Sequence, residues 1–279
     1  MNFSIPLPSD LTDQWHKAVT FLVASTPSEV VLCSGLGGRT LSGPVVAPNG
    51  VEAWLRVMVA SRPEGKLWEG AVLAERSLSE AIPRPNLLAE YSWTSEGVSF
   101  QAHLWEFLRG KELSETPDLS SPVDVSDQWW PSLREAVDEV GRTPMPEGRE
   151  VMTQAFIHRI PRFIPALEGT DLMVKEWRTA HGDLHWANIT KKPLQLFDWE
   201  GWGGAPAGYD AAVLLAYSLP APATASKVRE VFEDLLRTET GRLAQLVICA
   251  EIIQASERDE IHARLRPYAE ALAAELAPQ

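Results

Sequence analysis

Residues 181–200 read "HGDLHWANITKKPLQLFDWE". Three oxygen-bearing side chains, Asp183, Asn188 and Asp198, stand here among apolar neighbours. Such groups serve solvated turns, because they hydrogen-bond their own backbone. They also serve phosphoryl chemistry. A carboxylate can accept a hydrogen bond from a reacting hydroxyl, and a neutral amide oxygen can help hold a cation without competing for that hydroxyl. A second carboxylate can bridge the cation to phosphates. Magnesium, which keeps few protein oxygens beside phosphate and water, matches so sparse a set. Asp198 directly follows the apolar run "LQLF", which predicts a strand that presents it from a rigid end.

The rest of the chain predicts the setting. Residues 11–25 have helical apolar spacing. "EVVLCSG" is an apolar, β-branched run that ends at the glycine-rich turn "GLGG", residues 35–38. "SGPVVAP" and "VEAWLRVMVA" flank "NG", a two-residue hairpin signal. Residues 65–80 read as a helix, and "RPNLLAEYSW" and "VSFQAHLWEFL" as two strands around "SEG". Polar, proline-bearing "RGKELSETPDLSSPVD" then reads as a connector, with a boundary near residue 108. Beyond it, helices are expected near 127–140, 149–166, 210–219, 224–238, 240–256 and 259–277, and two short strands within 175–200. The expectation is an α+β fold with a small antiparallel β-rich lobe, 1–108, and a larger, mostly helical lobe, 109–279.

The chain has 279 residues and a net charge of −13, which disfavours nucleic acid as a partner because phosphate binding needs a basic surface. Residues 111–279 hold 17 Lys/Arg against 27 Asp/Glu, and residues 1–110 hold 8 against 11. The acidic second half suits a cationic small molecule as well as it suits simple solubility. No apolar run reaches the ~18 residues of a membrane span. No basic segment followed by an apolar core stands at the start, so no signal peptide is readable. Cys33 and Cys249 lack metal-type spacing and are expected as buried free thiols of a cytoplasmic protein.

The spacing of Asp183 and Asn188 is that of H-R-D-x-x-x-x-N in protein kinases. With "HGDLHWAN", the apolar run into "DWE", and "GYD" at 208–210, the chain resembles the aminoglycoside phosphotransferase and small-molecule kinase group of the protein-kinase-like fold. The resemblance implies Asp183 as catalytic base, Asn188 and Asp198 as Mg²⁺ ligands, and ATP or GTP as donor to a small hydroxylated acceptor, a cationic antibiotic among the candidates. Asp210 would be the structural aspartate that caps the next helix and braces the catalytic loop. His181 would pack and hydrogen-bond within that loop. Zinc on His181 and His185 is the rival reading, but "HGDLH" lacks the glutamate of H-E-x-x-H.

In the first lobe, "SGLGGRTLSG" lies where the group has its phosphate-covering loop, so Gly35, Gly37 and Gly38 are candidate phosphate contacts through backbone N–H groups. Arg56 of "WLRV" stands where the group has a lysine for the phosphates. A guanidinium keeps the charge but not the lysine geometry. Its expected partner is Glu69, with Glu75 as rival. "LWEFLRG" resembles the hinge, where the Glu106 carbonyl and the Leu108 N–H would meet the adenine edge. Glu200 and Trp202 are candidates for the acceptor pocket, although tryptophan here is as readily a packing residue. A kinase-shaped protein that only binds a metabolite is the alternative, favoured by Arg56 and opposed by the Asp183, Asn188 and Asp198 set.

Overall fold

The computed structural model describes residues 10–35 and 38–277. The chain divides into two compact units, Met1–Arg76 with Arg84–Arg109, and Ser77–Pro83 with Gly110–Gln279.

The first unit is a sheet carried on one helix. After α1 (Thr12–Phe21) come β1 (Cys33–Ser34), β2 (Thr40–Val46) and β3 (Glu52–Ala60), then α2 (Lys66–Ser77), β4 (Leu87–Ser95) and β5 (Val98–Glu106). The five strands are antiparallel in the order β1-β2-β3-β5-β4. The β2–β3 hairpin follows from "NG": Gly50 has φ +80° and donates to the Ala47 carbonyl at 2.8 Å. That left-handed conformation is one glycine adopts without a Cβ clash. Along β3 the side chains alternate. Ala53, Leu55, Val57 and Val59 enter an apolar cluster with Trp15, Phe100 and Leu104, and Arg56 projects from the opposite face. The run "EVVLCSG" forms only a two-residue strand, and Cys33 is exposed rather than buried.

The second unit holds α3 (Trp129–Arg142), α4 (Gln154–Ile157), the strands β6 (Trp177–Ala180) and β7 (Gly203–Pro206), then α5 (Tyr209–Ser218), α6 (Pro222–Val231), α7 (Glu233–Leu236), α8 (Glu239–Ala255) and α9 (Glu260–Leu276). α5 is apolar on nearly every side and packs against α6, α8 and α9, as a central helix should. The helix expected over 149–166 is one α-turn followed by two 3₁₀ turns. Pro161 and Pro165 remove the N–H groups that a continuous helix needs. "LQLF" is likewise not a strand. It makes one bridge, Ile189 to Leu196, and β6 pairs instead with β7. Among the described residues no helix is long and apolar enough to cross a membrane. The architecture is α+β, an antiparallel sheet unit followed by a largely helical one.

Candidate active site

The loop after β6 is built around buried anchors. Trp186 is fully buried, stacks near Trp129 and Trp130 of α3, and donates its indole N–H to Ser218 of α5 at 3.0 Å. Asp210, in the first turn of α5, accepts the His181 and Gly182 N–H groups at 2.8 and 3.0 Å. It does not cap its own helix, whose N-cap is Gly208 without a side-chain bond. Burial raises the Asp210 pKa, and those N–H groups with the His181 charge work against it. Gly182 has φ +86°, and a Cβ there would meet Val151 at 2.7 Å, so this bend needs glycine twice over.

His181 closes the loop from within. Nδ1 accepts the Asp183 N–H at 3.3 Å, which leaves Nε2–H to donate to the Phe197 carbonyl at 3.0 Å. Burial pushes its pKa down against the pull of Asp210, Asp183 and Asp198. With both ring nitrogens spent inside the loop, His181 cannot form the zinc pair with His185.

Asp183 itself opens outward, its side chain 56 % exposed, with His185 Nε2 at 3.5 Å. The packed loop works to raise its pKa, but the hydrogen bond and charge of His185, the His181 charge and Asn188 together hold it below the ordinary carboxylate range. It is ionised at neutral pH, as a base must be. Asn188 is buried, and its amide nitrogen donates to the Asp183 carbonyl at 2.9 Å, leaving the carbonyl oxygen Oδ1 as the group for a cation. The Asn188 carbonyl accepts the Phe197 N–H at 3.1 Å, which ties the Asp198 segment to the same loop. Asp198 has φ +68°, a strained conformation for a non-glycine residue and one that clusters at functional sites. One amide oxygen and one carboxylate, both hard donors, fit a magnesium-type ion completed by phosphate and water.

A cavity of about 250 Å³ opens beside Asp183, with Tyr209, Tyr217, Glu251, Arg258 and His262 in its lining. A larger one, about 500 Å³, is lined by His158, Arg162, Thr170 and Asp171 and includes no residue of this loop. Neither Glu200 nor Trp202 lines the smaller cavity. Trp202 is fully buried, under the Arg149 guanidinium at 5.5 Å, because "GWGG" feeds the buried strand β7. Full burial takes Trp202 away from the open acceptor surface expected of it. The cavity residues Tyr209, Tyr217, Glu251 and His262 were not anticipated from the sequence: they lie on three separate helices.

In the first unit, Gly35 donates to the Thr40 carbonyl at 3.0 Å and Gly38 to the Gly35 carbonyl at 3.0 Å. Gly37 lies outside the described residues. Glu106 ends β5, its carboxylate accepting from the Asn86 amide at 2.9 Å, and Leu108 follows two residues on. Arg56 lies opposite Ser42 and His103 in register. The expected partner Glu69 is exposed and turns back to accept the Gly65 N–H at 3.3 Å. Glu75 pairs with Arg84 and accepts the Leu87 N–H at 3.2 Å. Neither glutamate forms the pair expected with Arg56.

His103 is the unexpected neighbour. Its Nε2 is buried without a partner, and burial, with the Arg56 charge, lowers its pKa to about 4. The unfolded chain then binds this proton from about pH 6.5 and the native state only near pH 4. Stability is lost as the pH falls through that window, by about 3 kcal/mol for this one group. We expect His103→Leu to flatten the decline in denaturant midpoint between pH 6.5 and 4; an unchanged slope would mean that His103 titrates normally.

No protein-family profile and no curated protein sequence matches the chain. Solved structures do. The chain superposes on the aminoglycoside phosphotransferase APH(4)-Ia with a TM-score of 0.62 at 13 % identity, over 96 % of this chain and 98 % of that one. For the amicoumacin kinase hAmiN, solved with AMP-PNP, Ca²⁺ and amicoumacin, the values are 0.59 and 14 %, over 96 % and 95 %. For the macrolide 2'-phosphotransferase MphH from Brachybacterium faecium they are 0.58 and 15 %, over 96 % and 99 %. The chain has the phosphotransferase fold. At such identities the phosphotransferase fold is what the superpositions carry, and the chemistry rests on the loop. An ionised, outward-facing carboxylate on a braced loop, which also carries an amide oxygen and is tied by backbone to the Asp198 segment, can orient a hydroxyl and offer donors to a cation.

Proposed function

We propose that this protein is a small-molecule kinase that moves the γ-phosphoryl group of ATP or GTP to a hydroxyl. The observation that carries the reading is the loop of Asp183, Asn188 and Asp198, locked by Asp210 and His181, in the fold of enzymes that do this. The acceptor oxygen would attack the γ-phosphorus as the bond to the β-phosphate oxygen breaks. The hydroxyl proton would pass to Asp183, and the nucleoside diphosphate would leave. Asn188 Oδ1 and the Asp198 carboxylate would hold a Mg²⁺, which would supply charge neutralisation for the phosphates. Arg56 is assigned to phosphate binding, and Gly35, Gly38, Glu106 and Leu108 to the nucleotide, on the resemblance. Such catalysis is chiefly positioning and electrostatics.

The named neighbours act on antibiotics, so aminoglycosides, amicoumacin and macrolides head the acceptor panel, with antibiotic inactivation as one use of the transfer. Nucleoside diphosphate release with each compound tests the reading. Firm ligand binding without transfer to any acceptor would favour the binding-protein alternative. For the metal, Asp198→Ala is expected to weaken affinity for MgATP by about tenfold or more, in line with loss of a charge-assisted contact of ~1.5–3 kcal/mol, while metal-free ATP binds as before. Equal MgATP affinity by calorimetry would remove Asp198 from the site.

A further inference from the structure

The face of the first unit's sheet that points away from the apolar core carries a polar row. Register sets Ser42 of β2, Arg56 of β3, His103 of β5 and Glu90 of β4 side by side. Directly opposed antiparallel residues share a face, with Cβ atoms ~4.5–5.5 Å apart. Glu90, at the far end of the row, pairs with Arg76 of α2 at 3.4 Å. Glu69 and Glu75 are engaged by the Gly65 N–H and by Arg84. In this row Arg56 has the Ser42 hydroxyl on one side and the His103 imidazole on the other.

His103 is 1 % exposed, and Trp105 lies against it edge-on with ring centroids 5.8 Å apart. Its Nε2 meets no partner, and such a nitrogen is costly to bury. For packing alone a leucine would serve better. An arginine only donates hydrogen bonds, so a partner for it must accept. Burial and the Arg56 charge lower the His103 pKa to about 4, so near neutrality the ring is uncharged and one nitrogen keeps its lone pair. Sealed from solvent, the ring does not offer itself to a phosphate; the group within its reach is the guanidinium on the next strand. Gln101, whose Oε1 also lacks a partner, stands one row further along, opposite Met58. His103 is therefore the nearer acceptor.

We propose that His103 is a positioning residue for the nucleotide: its neutral Nε2 accepts an N–H of Arg56 and holds the guanidinium where it meets the phosphates. The phosphate role of Arg56 rests on the kinase reading, whereas its adjacency to His103 rests on sheet register and burial. Nε2 is open in the present arrangement, and Arg56 closes it on engaging phosphate. A neutral partner orients the guanidinium without neutralising it, so its full charge stays available to the phosphates. This is the orienting task that the sequence pointed to Glu69 for.

Titration calorimetry at pH 8 with MgATP and with adenosine, which has no phosphate, tests the pairing; MgGTP and guanosine replace them if GTP is the donor. The proteins are the wild type, His103→Leu, Arg56→Met and the double variant. His103→Leu removes a buried, unpartnered nitrogen, so a thermal melt should show it at least as stable as the wild type. Its affinity for MgATP should nevertheless fall about ten- to a hundredfold, the range for a hydrogen bond to a charged group, while adenosine stays within about twofold. The double variant should bind MgATP no more weakly than Arg56→Met alone, because His103 acts only through Arg56. His103→Gln keeps a neutral acceptor and should recover most of the affinity. Equal losses for MgATP and adenosine would reduce His103 to packing and overturn the proposal. So would additive losses in the double variant, or a His103→Gln protein as weak as His103→Leu. A wild type that binds MgATP, and loses it in Arg56→Met but not in His103→Leu, defeats the positioning role and leaves the kinase reading standing. A wild type that binds neither MgATP nor MgGTP defeats the kinase reading, and this proposal with it.

Discussion

Asp183→Asn is expected to lower kcat by about 10²- to 10⁴-fold, the usual contribution of a positioned general base. The side chain is 56 % exposed, and its contacts are His185 and the loop around Asn188. Removing its charge therefore leaves the packing of Trp186, Leu184 and Ile189 in place. The melting temperature should stay within a few degrees, and nucleotide affinity should change little. Steady-state kinetics beside a thermal melt separates the two effects. A variant that keeps near-normal kcat would exclude Asp183 as the base, whatever the fold. Because His185, His181 and Asn188 hold the Asp183 pKa below the ordinary carboxylate range, the base should remain ionised well into mild acid. The acid limb of a kcat profile near pH 6 would then belong to another group.

Asp210→Ala should act on stability as well as on activity. Its carboxylate is buried and is the acceptor for two backbone N–H groups, those of His181 and Gly182. Hydrogen bonds to a charged group are worth ~1.5–3 kcal/mol each, and a buried donor left unpaired costs on the same scale. The expected loss is about 3–6 kcal/mol, a large share of a domain's ~5–15 kcal/mol. Asp210→Asn keeps one acceptor oxygen and sheds a buried charge whose pKa is raised, so it should cost less. The raised pKa fixes the sign of the pH effect. The penalty for ionising Asp210 grows as the pH rises through its folded pKa, and it disappears in Asp210→Asn. Denaturant unfolding of both variants is the measurement. A change under about 1 kcal/mol for Asp210→Ala would show that the loop does not depend on this brace.

The locally coded parts were legible in the chain. Asn49–Gly50 makes a tight turn from its own backbone preference, so the β2–β3 hairpin and the alternation that points Arg56 away from Leu55 and Val57 could be read directly. The helices α5 and α8 were expected from the sequence in the same way, near 210–219 and 240–256. In the loop, Asp183 and Asn188 were candidates by their spacing and Asp198 by its place after "LQLF", because a short braced loop keeps residues close in sequence close in space. Locality also explains the errors. "LQLF" has strand composition, but a strand exists only where a partner pairs with it, and β6 took β7 instead. Pro161 and Pro165 cut a helical pattern that periodicity alone extended.

Which distant side chains meet is a matter of packing. Glu251 stands 42 residues beyond Tyr209, and the packing of α5 against α8 makes them one wall of the cavity beside Asp183. Trp202 could be a pocket surface or a core residue from its composition, and the pairing of β7 with β6 buries it. Glu69 has the charge for Arg56 but lies on the exposed side of α2, where its own helix start captures it. Turns, helices and the Asp183–Asn188 spacing were written in the linear chain, since these depend on neighbours along it. The cavity wall beside Asp183 and the surroundings of Arg56 came from helix and strand packing, since burial and charge pairing depend on neighbours in space.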